Sequence, residues 1–152
     1  MEDSPSDTEL INEAWSNAQM SGHVTYVQDG VEALQLLRRQ GPFAASPRPD
    51  LIILDLHLPC KDGLDVLAEV KADRDLGSIP VVVMTASLDP EDVLRAYNLK
   101  ASCYVKKPMD FTGYVEAVRA IEKFWGSIVT LPVPAAKDGE SLASGLAAGG
   151  VV

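Results

Sequence analysis

The chain has 152 residues, of which 47% are apolar, and this length suits one ordinary domain with its own core. Its net charge of −9 disfavours a nucleic-acid partner, because phosphate binding requires clustered Lys and Arg. No apolar run is long enough to span a membrane, and no signal peptide opens the chain. The two cysteines, Cys60 and Cys103, lack a metal-binding spacing, so we expect free thiols in a cytoplasmic protein.

Predicted strands and helices alternate along the chain. A helix is expected behind the capping box of Ser6 and Glu9, up to Gly22. Runs of β-branched and aliphatic residues predict strands at His23–Val27, Leu51–Leu54, Ile79–Met84 and Ser102–Val105. Further helices are predicted after the turns Asp29–Gly30, Asp62–Gly63 and Asp89–Pro90, and from about Asp110 to Trp125. This alternation predicts an α/β fold with a doubly wound parallel sheet.

Asp55 interrupts the most apolar stretch of the chain, DLIILDLHLP at 50–59. A continuous aliphatic run is typical of a strand buried on both faces of a parallel sheet. A carboxylate at the end of such a strand is costly unless its charge is used there. In open α/β sheets ligands bind outside the carboxyl ends of the strands, so this architecture places its chemistry at Asp55.

Other polar residues are expected at the same edge. Thr85 and Lys107 follow later strands, and Glu2 and Asp3 precede the first predicted helix. Alone, each has an ordinary explanation as a strand, surface or helix-terminal residue. Together, three carboxylates would repel one another, and Mg²⁺ would relieve that repulsion. An Asp55 oxygen could then act as a nucleophile on phosphorus, while Thr85 and Lys107 bind the phosphoryl oxygens.

These motifs resemble those of the receiver domains of two-component response regulators. The resemblance covers residues 2 to 126 and rests on the acidic pair Glu2–Asp3, on LDLHLP with DG shortly after it, on VVVMTAS and on YVKKP. It implies the flavodoxin-like receiver fold, with strand order 2-1-3-4-5. The implied function is a phosphorylation-driven switch that signals by protein contact and is not an enzyme. Residues 127–152 then form an extension, largely a disordered tail.

The resemblance implies a magnesium site around Asp55, the phosphoacceptor. Asp3 binds Mg²⁺ directly and Glu2 binds it through water, while the backbone carbonyl of His57 is a further ligand. His57 and Ser87, which follow Asp55 and Thr85 by two residues, are expected at the mouth of the site. There they should govern how easily water reaches the aspartyl phosphate.

The resemblance also implies a switch. Thr85 supplies the hydroxyl that a phosphoryl group draws inward, and Tyr104 is the aromatic residue that fills the vacated space. Lys107 is the phosphate-binding lysine, and its bond to Pro108 is expected to be cis.

Partners follow from the same resemblance. We expect a sensor histidine kinase, a downstream protein target and a homodimer, with no nucleic acid and no membrane. The contacts are expected on a face that changes shape with the switch, made of Asp89–Leu99, Ser102–Val105 and the last helix with Phe124–Pro132. The stretch FWGSIVTLP resembles single-domain regulators of bacterial phytochrome kinases, although it is also explained by packing onto the last helix or the sheet.

The chain departs from the receiver pattern at its beginning. Receivers start with an aliphatic strand directly ahead of the acidic pair, whereas here Met1 occupies that place. We therefore expect that strand 1 is missing, that the natural protein is longer, and that a gap at the sheet centre leaves residues 1–152 poorly folded. The apolar stretch Ile128–Val133 is a poor substitute, because it contains Pro132.

Two alternatives remain open from the sequence. A receiver-like module could bind partners without taking phosphate. A phosphatase with an aspartyl-phosphate intermediate also places a nucleophilic Asp after a strand. That class expects a second Asp two residues later, where this chain has His57.

Overall fold

The computed structural model describes Glu13, Ser16, residues 23–133 and the backbone of Ala147–Val151. Its strands are β1 (His23–Val27), β2 (Leu51–Leu54), β3 (Val81–Thr85), β4 (Cys103–Lys106) and β5 (Ala147–Val151). Its helices are α1 (Gly30–Leu37), α2 (Gly63–Ala72), α3 (Pro90–Asn98) and α4 (Phe111–Lys123). A 3₁₀ turn spans Gly41–Phe43, and a π-helical segment, Phe124–Ile128, follows α4. The predicted α/β class with a parallel sheet is confirmed.

An aspartate caps each of these four helices at its N-terminus. The side chains of Asp29, Asp62, Asp89 and Asp110 each accept a hydrogen bond from a backbone N–H in the first turn. Such caps satisfy donors that have no partner inside the helix. The helix predicted behind Ser6 and Glu9 lies outside the described residues, apart from Glu13 and Ser16.

The chain forms two compact units. One comprises Gly22–Lys106 and Leu131–Val152 and contains the sheet with α1, α2 and α3. The other comprises Met1–Ser21 and Lys107–Thr130 and contains α4. The predicted division of the chain at residue 126 stays a prediction.

The hydrophobic core of the first unit lies around β2 and β3. All five residues of β3 are buried, and so are three of the four residues of β2. Apolar residues from all three helices of this unit join the same cluster, among them Leu34, Leu36, Leu64, Leu67 and Ala96. The two continuous apolar runs thus form the buried strands that their composition predicts.

The centre of the sheet differs most from expectation. The strand order is β1-β5-β2-β3-β4. β5 pairs in parallel with β1 from His23↔Ala147 to Val27↔Val151, and with β2 from Leu51↔Ala148 to Ile53↔Gly150. Residues 147–151 therefore occupy the position that the receiver order assigns to strand 1, where the sequence predicts a gap. Backbone groups of both neighbours gain partners there, although Gly residues are weak strand formers.

Deleting residues 147–152 should destabilise the chain, because β1 and β2 would lose their shared neighbour. Five residue pairs with β1 and three with β2 would disappear. At roughly 1 kcal/mol per net hydrogen bond, the free energy of unfolding should fall by several kcal/mol. Urea denaturation measures this loss, with deletion of Val152 alone as the control. Equal midpoints for both deletions would contradict a central β5.

Candidate functional site

Asp55 and Thr85 follow neighbouring strands at one edge of the sheet. Leu54 in β2 pairs with Val83 in β3, so Asp55 lies one residue beyond this pair and Thr85 lies two beyond it. Thr85 is completely buried, whereas Asp55 is half-buried. The parallel register therefore brings a partly exposed carboxylate and a buried hydroxyl to the same edge.

The loop after Asp55 folds back onto the end of β2. Oδ1 of Asp55 accepts a hydrogen bond from the N–H of His57 at 3.1 Å. Gly63, the first residue of α2, donates its N–H to the carbonyl of Leu56 at 2.9 Å. A Cβ at Gly63 would lie 2.2 Å from the carbonyl oxygen of Asp55, so only glycine permits this close approach. The absence of a side chain at Gly63 thus lets α2 begin directly against the backbone of the site.

The far end of the same loop is held by α1 and α2. The N–H of Gly30 donates to the carbonyl of Pro59 at 3.4 Å, and a Cβ at Gly30 would lie 2.6 Å from the carbonyl oxygen of Lys61. Glu69 binds Lys61 at 2.5 Å and Arg38 at 2.8 Å. These hydrogen bonds, that of Lys61 foremost, lower the pKa of Glu69. Contacts at both ends therefore position the loop that carries His57.

Ser87 connects Thr85 to Tyr104. The N–H of Ser87 donates to Oγ1 of Thr85 at 3.4 Å, and its carbonyl accepts the hydroxyl of Tyr104 at 3.0 Å. Tyr104 lies on β4, is half-buried and packs against the hydrophobic core. Tyr104 therefore points inward in this structure, and its movement on phosphorylation stays a prediction.

The roles of three other predicted site residues stay predictions. Glu2 and Asp3 lie outside the described residues. Lys107 follows β4 directly and belongs to the second compact unit. The bond between Lys107 and Pro108 is trans, so the expected cis bond is wrong; a trans bond is the ordinary state before proline. Among the described residues no three Asp, Glu, His or Cys side chains gather as a metal site.

Two residues of the network were missed from the sequence. Asp92 accepts a hydrogen bond from the hydroxyl of Ser87, and Tyr97 accepts one from the N–H of Tyr104. Both lie on α3, where an acidic residue in the first turn is ordinarily explained by the helix dipole. The sequence alone offered one indication of their role, namely that both residues lie on the predicted helix that follows Ser87.

The fold and the site define a signalling module in which a strand-end carboxylate lies beside a buried hydroxyl. The family model of the response regulator receiver domain matches residues 1–119, and the chain belongs to this family. Within the described ranges, no helix combines the length and apolar character needed to cross a membrane.

Known relatives resemble the chain over most of its length. Response regulator Rcp1 of Synechocystis sp. (strain ATCC 27184 / PCC 6803 / Kazusa) is 42% identical over 132 residues, which cover 87% of this chain and 90% of Rcp1. The crystal structure of the phosphorylated cyanobacterial phytochrome response regulator RcpA has a TM-score of 0.80 at 44% identity, covering 88% of this chain and 95% of RcpA. The crystal structure of the Mn²⁺-bound form of Rcp1 has a TM-score of 0.78 at 42% identity, covering 88% of this chain and 96% of Rcp1. The receiver fold predicted from the sequence is confirmed.

The surroundings of Tyr104 favour its neutral form. Burial is the largest cause and raises its pKa, and the hydrogen bond with Ser87 acts in the opposite direction. The negative charges of Asp92, Asp55 and Asp89 raise the pKa further. The phenol should therefore keep its proton beyond the pH at which an exposed tyrosine ionises.

Ionisation of Tyr104 should destabilise the folded chain at alkaline pH. Its folded pKa exceeds the unfolded value of about 10, so its contribution to stability is complete below that pH and is lost as pH rises through the folded pKa. The tyrosinate absorbance of wild type minus that of Tyr104→Phe isolates this titration. The midpoint of this titration should lie at a higher pH than the midpoint of the tyrosine titration in the urea-unfolded chain. A titration at or below that of the unfolded chain would contradict the effect of burial.

Proposed function

We propose that this chain accepts a phosphoryl group from a sensor histidine kinase on Asp55 and signals by protein contact. The observation that carries this proposal is the half-buried carboxylate at the end of buried β2, at the same sheet edge as the buried hydroxyl of Thr85. Similarity to RcpA, a phytochrome response regulator crystallised in its phosphorylated form, supports a kinase of the phytochrome class.

In the proposed transfer step, a carboxylate oxygen of Asp55 attacks the phosphorus of a phosphohistidine on the kinase. A new O–P bond forms as the P–N bond breaks, and the electron pair of that bond stays on the histidine nitrogen. The hydroxyl of Thr85 donates to a phosphoryl oxygen, and Lys107 supplies a positive charge to the same group. His57 and Ser87 then control the access of water to the product.

The oxygen donors at Asp55 suit a hard divalent ion. Asp55 offers a half-buried carboxylate, and the exposed residue His57 offers its backbone carbonyl from the adjoining loop. Glu2 and Asp3 would add the acidic pair that the receiver family uses. When bound, Mg²⁺ supplies positive charge that offsets the repulsion between these carboxylates and a phosphoryl group. Similarity to Rcp1, which has been crystallised with bound Mn²⁺, supports the binding of a divalent ion at this site.

The proposed signalling contacts lie on exposed apolar side chains of α3 and of the loop before it. Leu88, Leu94 and Tyr97 are all exposed there. The segment Phe124–Pro132 is a second proposed contact region, since Phe124 and Ile128 are exposed as well. In this proposal, these surfaces bind a downstream protein target or a second copy of the chain.

Asp55→Asn should abolish phosphoryl uptake from acetyl phosphate with Mg²⁺. The unfolding midpoint should change little, because the amide keeps the shape of the side chain. Intact-mass spectrometry detects uptake as a labile gain of about 80 Da. Asp50→Asn, just before the other end of β2, is the matched control and should retain uptake.

Two outcomes would contradict this proposal. A labile adduct that persists in Asp55→Asn would show that the phosphoryl group is held elsewhere. Absence of an adduct in the folded wild-type chain would favour the receiver-like module that binds partners without taking phosphate.

A further inference from the structure

We propose that Asp92 is a positioning residue that, through Ser87, holds Tyr104 packed against the core. The inference rests on the proposed switch function, and it adds a residue that holds Tyr104 in the inward position of the switch. Asp92 accepts a hydrogen bond from the hydroxyl of Ser87, and the backbone carbonyl of Ser87 accepts the hydroxyl of Tyr104.

The hydroxyl of Ser87 is fixed by two hydrogen bonds. It donates to Oδ2 of Asp92 at 2.6 Å in a partly buried position, and it accepts the N–H of Asp89 at 3.3 Å. A hydroxyl with both a donor and an acceptor partner is restricted to one orientation. Hydrogen bonds to a carboxylate are also roughly twice as strong as those between neutral groups. Asp92 therefore anchors the loop that carries Ser87.

The position of that loop decides whether the hydroxyl of Tyr104 has an acceptor. The acceptor is the backbone carbonyl of Ser87, at 3.0 Å. Residues 86–89 contain no regular secondary structure, so side-chain contacts such as that with Asp92 secure the loop. If the loop moves, the phenol packed against the core loses its partner, and a partly buried donor without a partner is costly. Loss of the Asp92 contact should therefore favour an unpacked Tyr104.

The same helix also holds the backbone of Tyr104. Tyr97, five residues after Asp92 on α3, accepts the N–H of Tyr104 on its phenol oxygen at 3.2 Å. β4 is an edge strand, and the phenol oxygen takes the place of an acceptor in a neighbouring strand. α3 thus binds one polar group of Tyr104 directly and the other through Ser87. A shift of α3 is thereby coupled to the packing of Tyr104.

Four variants separate the hydrogen bond from charge and helix effects. Asp92→Ala removes the acceptor, and Ser87→Ala removes the donor without changing the charge. Asp92→Asn keeps an acceptor oxygen and serves as the conservative variant. Glu91→Ala is the matched control, because it removes an exposed acidic side chain from the same first turn of α3.

The readout is the ring-carbon NMR signal of Tyr104 in the full chain labelled with ¹³C-tyrosine. The signal is assigned with Tyr104→Phe, and urea denaturation establishes that each variant is folded. No phosphodonor is added. The result is therefore independent of phosphoryl uptake on Asp55, and failure of the proposed function would be seen separately in the mass measurement.

Asp92→Ala and Ser87→Ala should move the Tyr104 signal in the same direction. The ratio of packed to unpacked Tyr104 should fall about five-fold, as expected for the loss of one partly buried hydrogen bond. Asp92→Asn should move the Tyr104 signal less, and Glu91→Ala should leave the signal in place. The shift in the double variant of Asp92 and Ser87 should not exceed the shift in either single variant. The proposal fails if Ser87→Ala leaves Tyr104 packed, or if Glu91→Ala moves the signal as far as Asp92→Ala. If Asp92→Ala does not fold, the shift of the Tyr104 signal in Ser87→Ala tests the proposal by itself.

Discussion

A carboxylate at the end of a buried strand is the feature on which the rest of this site depends. Three of the four residues of β2 are buried and two of them belong to the hydrophobic core, so packing sets the position of the strand end that carries Asp55. The absence of a side chain at Gly63 lets α2 begin against the same backbone. The parallel pairing of β2 with β3 then places Thr85 at the same edge. A rigid frame thus presents a reactive group that is still half accessible to a partner.

The network around Ser87 explains how an event at this edge could reach the surface. Thr85 is buried, so a charge that draws its hydroxyl must act on the groups bonded to it. Ser87 is one such group, and its carbonyl holds Tyr104 while its hydroxyl binds Asp92. A buried polar contact is thereby linked to α3, whose outward side chains are exposed. Packed elements of this kind tend to have discrete arrangements, which suits a two-state switch.

The sequence predicted the parts that follow local rules. β2 and β3 were recognisable from continuous apolar runs, and three helix starts from the pairs Asp29–Gly30, Asp62–Gly63 and Asp89–Pro90. β3 begins two residues later than predicted, because Pro80 cannot donate to the ladder. The bond between Ser87 and Asp92 could not be predicted, since it depends on the path of an irregular loop. β5 was missed because Ala and Gly carry no strand pattern, and backbone pairing outweighs propensity there. The roles of the predicted site residues, Glu2, Asp3 and Lys107 among them, stay predictions.

The central claim is that negative charge added at Asp55 is sensed by Thr85 and transmitted to Tyr104. NMR titration of the wild-type chain with beryllofluoride and Mg²⁺ tests this most directly, because the mimic binds without a transfer reaction. The Thr85 methyl signal and the Tyr104 ring signal should shift together, with one half-saturation point. A titration that shifts the amide of His57 while leaving Thr85 and Tyr104 in place would contradict the account.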